Sequence, residues 1–200
     1  RSEVLFVDYI VEHLNNKGRA GIIVPEGIIF TAANAYKQLR KNLVEDGLYA
    51  VVSLPGGVFS PYSGVKTSIL FFDNQLSKQS KEILFIRVLN DGFDLGAQRR
   101  PVDRNDLPHA VEVLQAQREA VTSGKKNTLL KKGSLFAWTG TKAAIVKSGD
   151  YNLSGERYRL TETKANQKFE LTEIGELTKV FVDGNWIESK DQASSGIILL

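Results

Sequence analysis

Apolar residues recur along the first third of the chain with two different periods. In the opening segment, SEVLFVDYIVEHLNNKG, they follow helical spacing as a broad stripe, which predicts a well-buried helix that stops at Gly18. The next apolar run, GIIV at 21–24, has no polar alternation, which is typical of a strand covered on both faces. NAYKQLRKNLVEDG then predicts an amphipathic helix, and LYAVVSL predicts a second strand.

The lengths of the connections predict the strand directions. Between Val24 and Leu48 lie 23 residues that contain a helix, which is enough for a parallel crossover. Between Leu54 and Val65 lie only 10 residues, so the strand VKTSILFF is predicted to run antiparallel to LYAVVSL. The predicted fold class is therefore α/β, with a mostly parallel sheet, flanking helices and one reversed strand near its edge.

The rest of the chain alternates short apolar runs with polar connections. EILFIRVL predicts another strand, and LPHAVEVLQAQREAV predicts a helix with Asp106 as its cap and Pro108 in its first turn. The segment between them, NDGFDLGAQRRPVDRND, is predicted to be irregular. A short helix is expected near 143–147, after a linker-like stretch, and polar residues mark a boundary near Ala165.

The loop LPGGVFSPYSGV carries two aromatic rings that a water-facing loop does not need. It leaves the carboxyl end of a predicted parallel strand, where open α/β sheets bind their ligands. Phe59 and Tyr62 are then placed to stack on a planar ligand; the alternative is a loop that tucks both rings beneath its own edge. A phosphate-binding loop is excluded because a strand follows, not a helix. The predicted rim of the site comprises Pro25, Glu26, Gly27, Gly56 and Gly57.

The charge of the chain permits nucleic acid as a partner without requiring it. The formal net charge is +3 and the isoelectric point is about 9.0. AQRRPVDRND places Arg99 and Arg100 among aspartates, so phosphate contact and a self-paired, solvated loop are both open interpretations. KKNTLLKK is interpreted as an exposed linker, with a DNA-facing role as the alternative.

Several function classes are excluded or disfavoured by composition. The chain has no cysteine and two histidines, which excludes thiolate metal sites and disulfides and argues against zinc, so no metal site is predicted. The absence of cysteine fits a cytoplasmic location, which is the expectation, and no apolar run approaches the ~18 residues of a membrane span, so no membrane partner is expected. The missing methionine and the apolar last residues predict a fragment of a longer protein.

Four stretches together resemble the carboxyl-terminal half of the modification subunit of type I restriction-modification systems. They are RSEVLFVDYIVEHLNNKGRAGIIVPEGIIF, LPGGVFSPYSGVKTSILFF, DGFDLGAQRRPVDRNDLP and GDYNLSGERYRL, and they span roughly Arg1 to Leu160. The family comprises adenine-N6 DNA methyltransferases that use S-adenosyl-L-methionine. The resemblance implies a class I (Rossmann-like) methyltransferase sheet whose last strand is reversed, followed by a helical or irregular extension.

The resemblance also implies roles for individual residues. A base-modifying enzyme must extrude its target base and hold it in a pocket. Phe59 is expected to stack on the extruded adenine, with Tyr62 as the substitute, and Lys66, Arg99 and Arg100 are expected to contact DNA. The family's cofactor loop and its Asn (or Asp)-Pro-Pro-aromatic motif are missing, and the chain has no Pro-Pro pair. Catalytic and cofactor-binding residues are therefore expected upstream of Arg1.

The tail LTEIGELTKVFVDGNWIESKDQASSGIILL is similar to the opening of a target recognition domain from a specificity subunit. The resulting organisation assigns 1–120 to the catalytic domain, 121–165 to an extension or linker and 166–200 to the start of the recognition domain. Implied partners are double-stranded DNA, specificity and restriction subunits, and a second copy of the full-length protein. The alternatives are a non-catalytic assembly or DNA-recognition module and an RNA or protein methyltransferase on the same fold.

Overall fold

The computed structural model describes residues 2–159, which form a mixed sheet with helices on both faces and a separate two-stranded hairpin. The helices are α1 (Ser2–Glu12), α2 (Glu26–Phe30), α3 (Asn34–Glu45), α4 (Asn74–Gln79), α5 (Leu107–Ser123) and α6 (Lys142–Lys147). The strands are β1 (Arg19–Pro25), β2 (Leu48–Ser53), β3 (Thr67–Asp73), β4 (Glu82–Arg87), β5 (Asp91–Phe93), β6 (Pro101–Asn105) and β7 (Ala137–Thr141). A 3₁₀ turn covers Gly155–Tyr158.

The sheet confirms the reversed strand that the short connection predicted. Its strand order is β1-β3-β2-β4-β7. Strand β3 lies between β1 and β2 and is antiparallel to both, with Ser53 opposite Ser68 and Val51 opposite Leu70. Strands β1 and β2 therefore run in the same direction, and β4 pairs parallel with β2.

The sequence predicted a mostly parallel sheet with one reversed strand, but the sheet contains two reversed strands, β3 and β7. Strand β7 also runs backwards, antiparallel to β4, so three of the four pairings in the sheet are antiparallel. The sequence AWTGT is short and has no apolar alternation, so nothing in it predicted a strand. It lies within the 121–165 segment that was interpreted as an extension or linker, and it joins the main sheet.

Two apolar layers cover the two faces of the sheet. One combines α1, α2 and α3 with residues of the sheet, and its most buried members include Ile28, Leu43 and Leu70. The other lies beneath α5 and includes Leu84, Ile86 and Val113. The layered α/β class follows directly, because each face of the central strands is hidden by a different set of side chains.

The first helix and the first strand are less buried than their sequences predicted. In α1 only Val7 is buried, while Leu5 and Phe6 are each 67% exposed. In β1 only Val24 is buried; Ile23 points to the opposite face and is 54% exposed, because the apolar layer beneath α5 includes no residue of β1. Apolar runs specify what a segment can bury, and the neighbouring elements decide how much of it is covered.

Local structure agrees with the sequence around α5, with one difference at its start. Asp106 occupies the N-cap position and Pro108 lies in the first turn, as predicted. The Asp106 carboxylate does not cap the helix; it accepts hydrogen bonds from the Leu89 and Asn90 amides at 2.9 and 2.8 Å. It therefore ties the exit of β4 to the start of α5. The segment predicted to be irregular forms the β5–β6 hairpin, in which Asp91 pairs with Asn105 across the two antiparallel strands.

Helix α5 continues to Ser123, past the predicted boundary at 120. The boundary near Ala165 and the recognition-domain segment 166–200 lie outside the described residues. Within residues 2–159, no helix combines the length and the apolarity that crossing a membrane requires.

Candidate functional site

The candidate site lies at the sheet edge where β1 and β2 end. Both strands point the same way, and the start of β3 lies between their carboxyl ends. The Glu26 amide donates to the Lys66 carbonyl at 3.0 Å, and the Leu54 amide donates to the Thr67 carbonyl at 3.0 Å. The segment 25–27 and the loop 54–66 therefore share one edge of the sheet, where ligands bind in open α/β folds.

The loop 54–66 is ordered by its own turns. The Ser60 amide donates to the Gly57 carbonyl at 2.9 Å, and the Ser63 amide donates to the Phe59 carbonyl at 3.0 Å. Gly57 adopts a φ of +77°, which the absence of a β-carbon permits without strain. Gly56 faces open space, because a β-carbon added there would meet no atom within 4 Å. Gly57 thus permits the turn, and Gly56 leaves the outer side of the loop uncovered.

The two rings of the loop face water to different degrees. Tyr62 is 95% exposed, and Phe59 is 38% exposed. Tyr62 is therefore not tucked beneath the sheet edge, and Phe59 is not sealed inside the protein. Exposed rings on an ordered loop are available to a planar ligand. Base stacking by either ring remains a prediction.

Lys66 lies beside Glu26 at the rim. Its Nζ is 3.3 Å from Glu26 Oε1, and the Ser68 hydroxyl donates to the same oxygen at 3.2 Å. The lysine side chain is half exposed, whereas the glutamate is mostly covered. The ion pair fixes Lys66 next to the loop, and the predicted phosphate contact would have to compete with Glu26 for its ammonium group.

A groove of about 770 Å³ separates the loop from the β5–β6 hairpin. The loop contributes Gly56, Gly57 and Gly64, and the hairpin side contributes Leu89, Phe93 and Leu95 among others. Asp91, Asp94 and Asp103 also line it, with Arg104 as the cation. The walls are thus acidic and apolar, and phosphate contact is more favourable outside the groove than inside it.

The two arginines of the hairpin turn have different surroundings. Arg99 is largely buried; it pairs with Asp91, donates to the Asp94 carbonyl at 3.0 Å, and its guanidinium lies 5.2 Å from the centre of the Phe93 ring. These contacts hold the hairpin turn together. Arg100 is exposed and donates to Gln98 Oε1 at 2.8 Å. The self-paired interpretation therefore describes Arg99, and a DNA contact at Arg100 remains a prediction.

The described residues do not fit the methyl donor. The glycines at the rim do not open a helix of useful length: Gly56 and Gly57 precede a strand, and Gly27 lies inside the five-residue α2. Within residues 2–159 no group of histidine or acidic residues is arranged to hold a metal ion.

Sequence reasoning missed a second cavity on the α2 side of the same rim. Arg87, Trp138 and Glu156 line it together with Glu26 and Lys66. The Arg87 Nη1–Glu156 Oε1 hydrogen bond of 2.9 Å joins residues 69 positions apart, so no local spacing signals it. The pairing of β4 with β7 and the return of the chain at 152–156 bring these groups together.

Comparison with known proteins gives a consistent family assignment. The N-6 DNA Methylase family matches residues 1–167. The chain is 42% identical over 82 residues to the type I restriction enzyme EcoEI methylase subunit of Escherichia coli, covering 40% of this chain and 16% of that protein. It is 34% identical over 71 residues to the EcoKI methylase subunit of Escherichia coli K12, covering 35% and 13%.

Solved structures agree with the fold. A chain from a type I restriction-modification system superposes with a TM-score of 0.62 at 26% identity, covering 88% of this chain and 34% of that chain. The type I methyltransferase subunit from Streptococcus thermophilus gives a TM-score of 0.56 at 24% identity, covering 80% and 31%. The chain thus spans a small part of the curated relatives and about a third of the solved chains. Its match along most of its length shows that this chain belongs to the N-6 DNA methylase family.

Proposed function

We propose that this chain forms part of a site-specific DNA adenine-N6 methyltransferase of a type I-like restriction-modification system. The methyl group would come from S-adenosyl-L-methionine and go to an adenine extruded from double-stranded DNA. The specificity subunit, the restriction subunit and a second copy of the full-length protein are the proposed partners. The methyl donor and the groups that polarise the target amine would be held by segments outside this chain.

One observation carries the proposal for the site. The antiparallel β2–β3 pair places an ordered loop with two solvent-facing rings at the carboxyl ends of β1 and β2. An extruded base needs an aromatic or apolar surface to replace the stacking that it loses in the duplex. Phe59 or Tyr62 would supply this surface, and Gly56 leaves the approach uncovered, since a β-carbon there would meet no atom within 4 Å.

The position of Lys66 supports a second part of the proposal. Its ammonium group lies at the rim, half exposed and next to the loop. To bind a phosphate next to the extruded nucleotide, Lys66 would give up its ion pair with Glu26. Lys66 would therefore contribute more to the positioning of the DNA than to its affinity. Arg100 would contact the backbone farther from the base, because it lies on the hairpin turn.

The function is tested by mapping N6-methyladenine across the genome of a host that expresses the intact protein with its partner subunits. The expected result is methylation of adenine within one recurrent sequence motif, absent from a host without the gene. Methylated RNA or protein with unmodified DNA would support the alternative substrate classes. Unmethylated DNA, RNA and protein, with stable subunit complexes, would support the assembly role.

A further inference from the structure

A lysine-rich segment with the sequence GKKNTLLKK follows the end of α5. Lys125 and Lys126 in this segment are exposed, as is Lys81 just before β4, and none of the three forms an ion pair within residues 2–159. By contrast, Lys66 and Arg87 at the rim of the sheet are each paired with a glutamate. The fold therefore leaves these three lysines without a carboxylate partner.

The backbone is anchored on both sides of the lysine pair. Gly124 ends α5 with a φ of +68°, and the Lys125 amide donates back to a carbonyl in the last turn of the helix at 2.9 Å. On the other side, the Asn127 side-chain amide donates to Gln117 Oε1 at 3.1 Å. Lys125 and Lys126 thus extend from a fixed stretch of chain, which lowers the conformational entropy that is lost when they bind a ligand.

Two open clefts flank the lysine pair, and both lysines line each of them. The larger cleft, of about 690 Å³, lies between α5 and the start of β4, where Lys81 adds a third cation and Glu82 is the one carboxylate of the lining. The other cleft has a volume of about 530 Å³ and includes Glu119. Lys81, Lys125 and Lys126 together form a basic surface with an excess of positive charge.

The basic surface lies at the edge of the sheet opposite to the loop 54–66. Strand β4 begins at Glu82, next to the basic surface, and ends at Arg87. At that far end, the Val88 amide donates to the Ser53 carbonyl at 2.9 Å, where β2 ends and the loop begins. A strand of six residues spans about 20 Å, so the basic surface is separated from the rim by roughly that distance.

The composition of the two clefts favours a phosphate backbone over an acidic protein as the partner. Contacts with DNA phosphates use lysine together with serine, threonine, asparagine and glutamine, and these are the polar residues found here. Protein interfaces instead concentrate aromatic residues, methionine and arginine and are depleted in lysine. Neither cleft is lined by an aromatic residue, and the apolar residues of the larger one are buried or half-buried: Ala120, Val121 and Leu130.

We propose that the basic surface is a sequence-independent contact for the phosphate backbone of duplex DNA, separate from the predicted site of base extrusion. The proposal rests on the proposed function for its ligand and adds a second place at which the duplex is held. Ammonium groups that meet phosphates release condensed counterions, so this contact contributes affinity that falls steeply with salt. It would hold DNA of any sequence, while the loop acts on the target base.

The test measures binding of the intact protein to a fluorescein-labelled duplex made only of G·C base pairs, by fluorescence anisotropy at several salt concentrations. This duplex contains no adenine, so the loop has no target base to hold. A variant with both Lys125→Gln and Lys126→Gln should bind about 10-fold more weakly than the unmodified protein. Its slope of log affinity against log salt should be smaller by about 1 to 2, because each phosphate contact contributes about 0.9 to that slope.

The matched control carries Lys37→Gln and Lys41→Gln, which remove the same net charge from α3 on the other face of the sheet. The control should bind the G·C duplex with the salt slope of the unmodified protein. Lys125→Arg with Lys126→Arg keeps both cations and should bind normally. An unchanged slope in the Lys125→Gln, Lys126→Gln variant, or an equal loss in the control, would overturn the proposal.

Binding of labelled poly-L-glutamate, measured in the same way, distinguishes DNA from an acidic protein. A loss confined to poly-L-glutamate in the Lys125→Gln, Lys126→Gln variant would assign the surface to an acidic protein and overturn the proposal. The assay needs neither a target adenine nor the methyl donor, so its failure is distinct from failure of the proposed function. Normal adenine methylation with an unchanged salt slope in this variant would refute the basic surface alone.

Discussion

Hydropathy places arginine at the surface and aromatic rings in the interior, but one arginine and one tyrosine of this protein do the reverse. Arg40 on α3 is 0% exposed, while Tyr62 on the β2–β3 loop is 95% exposed. Arg40 sits where α2, α3 and the segment 150–151 meet, and Tyr62 sits at the open rim of the sheet. The buried arginine is structural, and the exposed ring is available to a ligand.

Burial of Arg40 has a simple physical basis. Its guanidinium donates to the carbonyls of Ile28, Thr31, Asp150 and Tyr151, at 2.8–3.3 Å. The last carbonyls of a helix have no intrahelical partner, and those of α2 would otherwise be buried unpaired. Arginine carries five donors in a planar fork, so one side chain can satisfy several chain segments. Arg40 therefore joins α3 to the end of α2 and to the segment 150–151 through backbone carbonyls.

Arg40→Ala is expected to give the largest loss of stability. The substitution leaves buried carbonyls without donors and creates a cavity, and together these should cost about 3–5 kcal/mol of unfolding free energy. Urea denaturation followed by circular dichroism measures the loss. Arg118→Met, an exposed arginine change, should alter the unfolding free energy by about 0.5 kcal/mol or less. Equal effects from the two changes would contradict the structural role of Arg40.

Gly155 in the 3₁₀ turn and Gly56 in the β2–β3 loop offer a second contrast, between a tightly packed and an open backbone position. A β-carbon at Gly155 would lie 2.7 Å from Phe85 Cβ, whereas one at Gly56 would meet nothing within 4 Å. Overpacking typically costs about 1–3 kcal/mol, so Gly155→Ala should be destabilised by that amount. Gly56→Ala should be nearly neutral, as thermal denaturation of the two variants will show. A neutral Gly155→Ala would mean that the 3₁₀ turn does not pack against Phe85.

The reversed strand was predictable because a connection of 10 residues is shorter than the dozen or so residues that a parallel crossover needs. The location of Phe59 and Tyr62 at the sheet edge followed from the same argument. The exposed apolar face of α1 was not predictable, because the sequence marks Leu5 and Phe6 as core residues and does not show whether a neighbouring element covers them. Arg40 and the Arg87–Glu156 pair were missed since their partners are far apart in sequence and mostly backbone or loop groups. Strand β7 was missed because its residues lack a strand pattern.

The segment that Arg40 holds should also make stability depend on pH. Burial alone would raise the pKa of Asp150, but hydrogen bonds from Ser148, Arg157 and the Asn152 amide outweigh it and lower the pKa from 3.8 to about 2. A lowered folded-state pKa contributes stability above the unfolded value, and this stability is lost as the pH falls from about 4 to about 2.

Asp150→Asn should therefore be less stable than the unmodified protein at pH 7, and the difference should shrink between pH 4 and pH 2. Denaturant titrations at several pH values measure it. Asp103→Asn, an exposed change on the hairpin that leaves the hydrogen bonds of Asp150 in place, serves as the matched control. A difference between Asp150→Asn and the unmodified protein that stays constant down to pH 2 would contradict the assigned hydrogen-bond network.

The smallest stability effects are expected at the open rim. Tyr62→Ala removes a ring that is almost fully exposed, so the unfolding free energy should change by about 0.5 kcal/mol or less. Phe59→Ala should cost somewhat more, since part of that ring is covered. Differential scanning fluorimetry of both variants measures this. A large destabilisation by Tyr62→Ala would mean that the loop supports the fold.

The most direct measurement of the central claim is the fluorescence of 2-aminopurine placed at the target adenine of duplex DNA bound by the intact enzyme. Unmodified enzyme should change this fluorescence as the base leaves the stack and meets a ring of the loop. Phe59→Ala, or Tyr62→Ala if that ring is the one in contact, should alter the signal and slow methylation while the fold stays intact. Unchanged fluorescence and methylation in a variant that carries both Phe59→Ala and Tyr62→Ala would contradict a role for this loop in holding the extruded base.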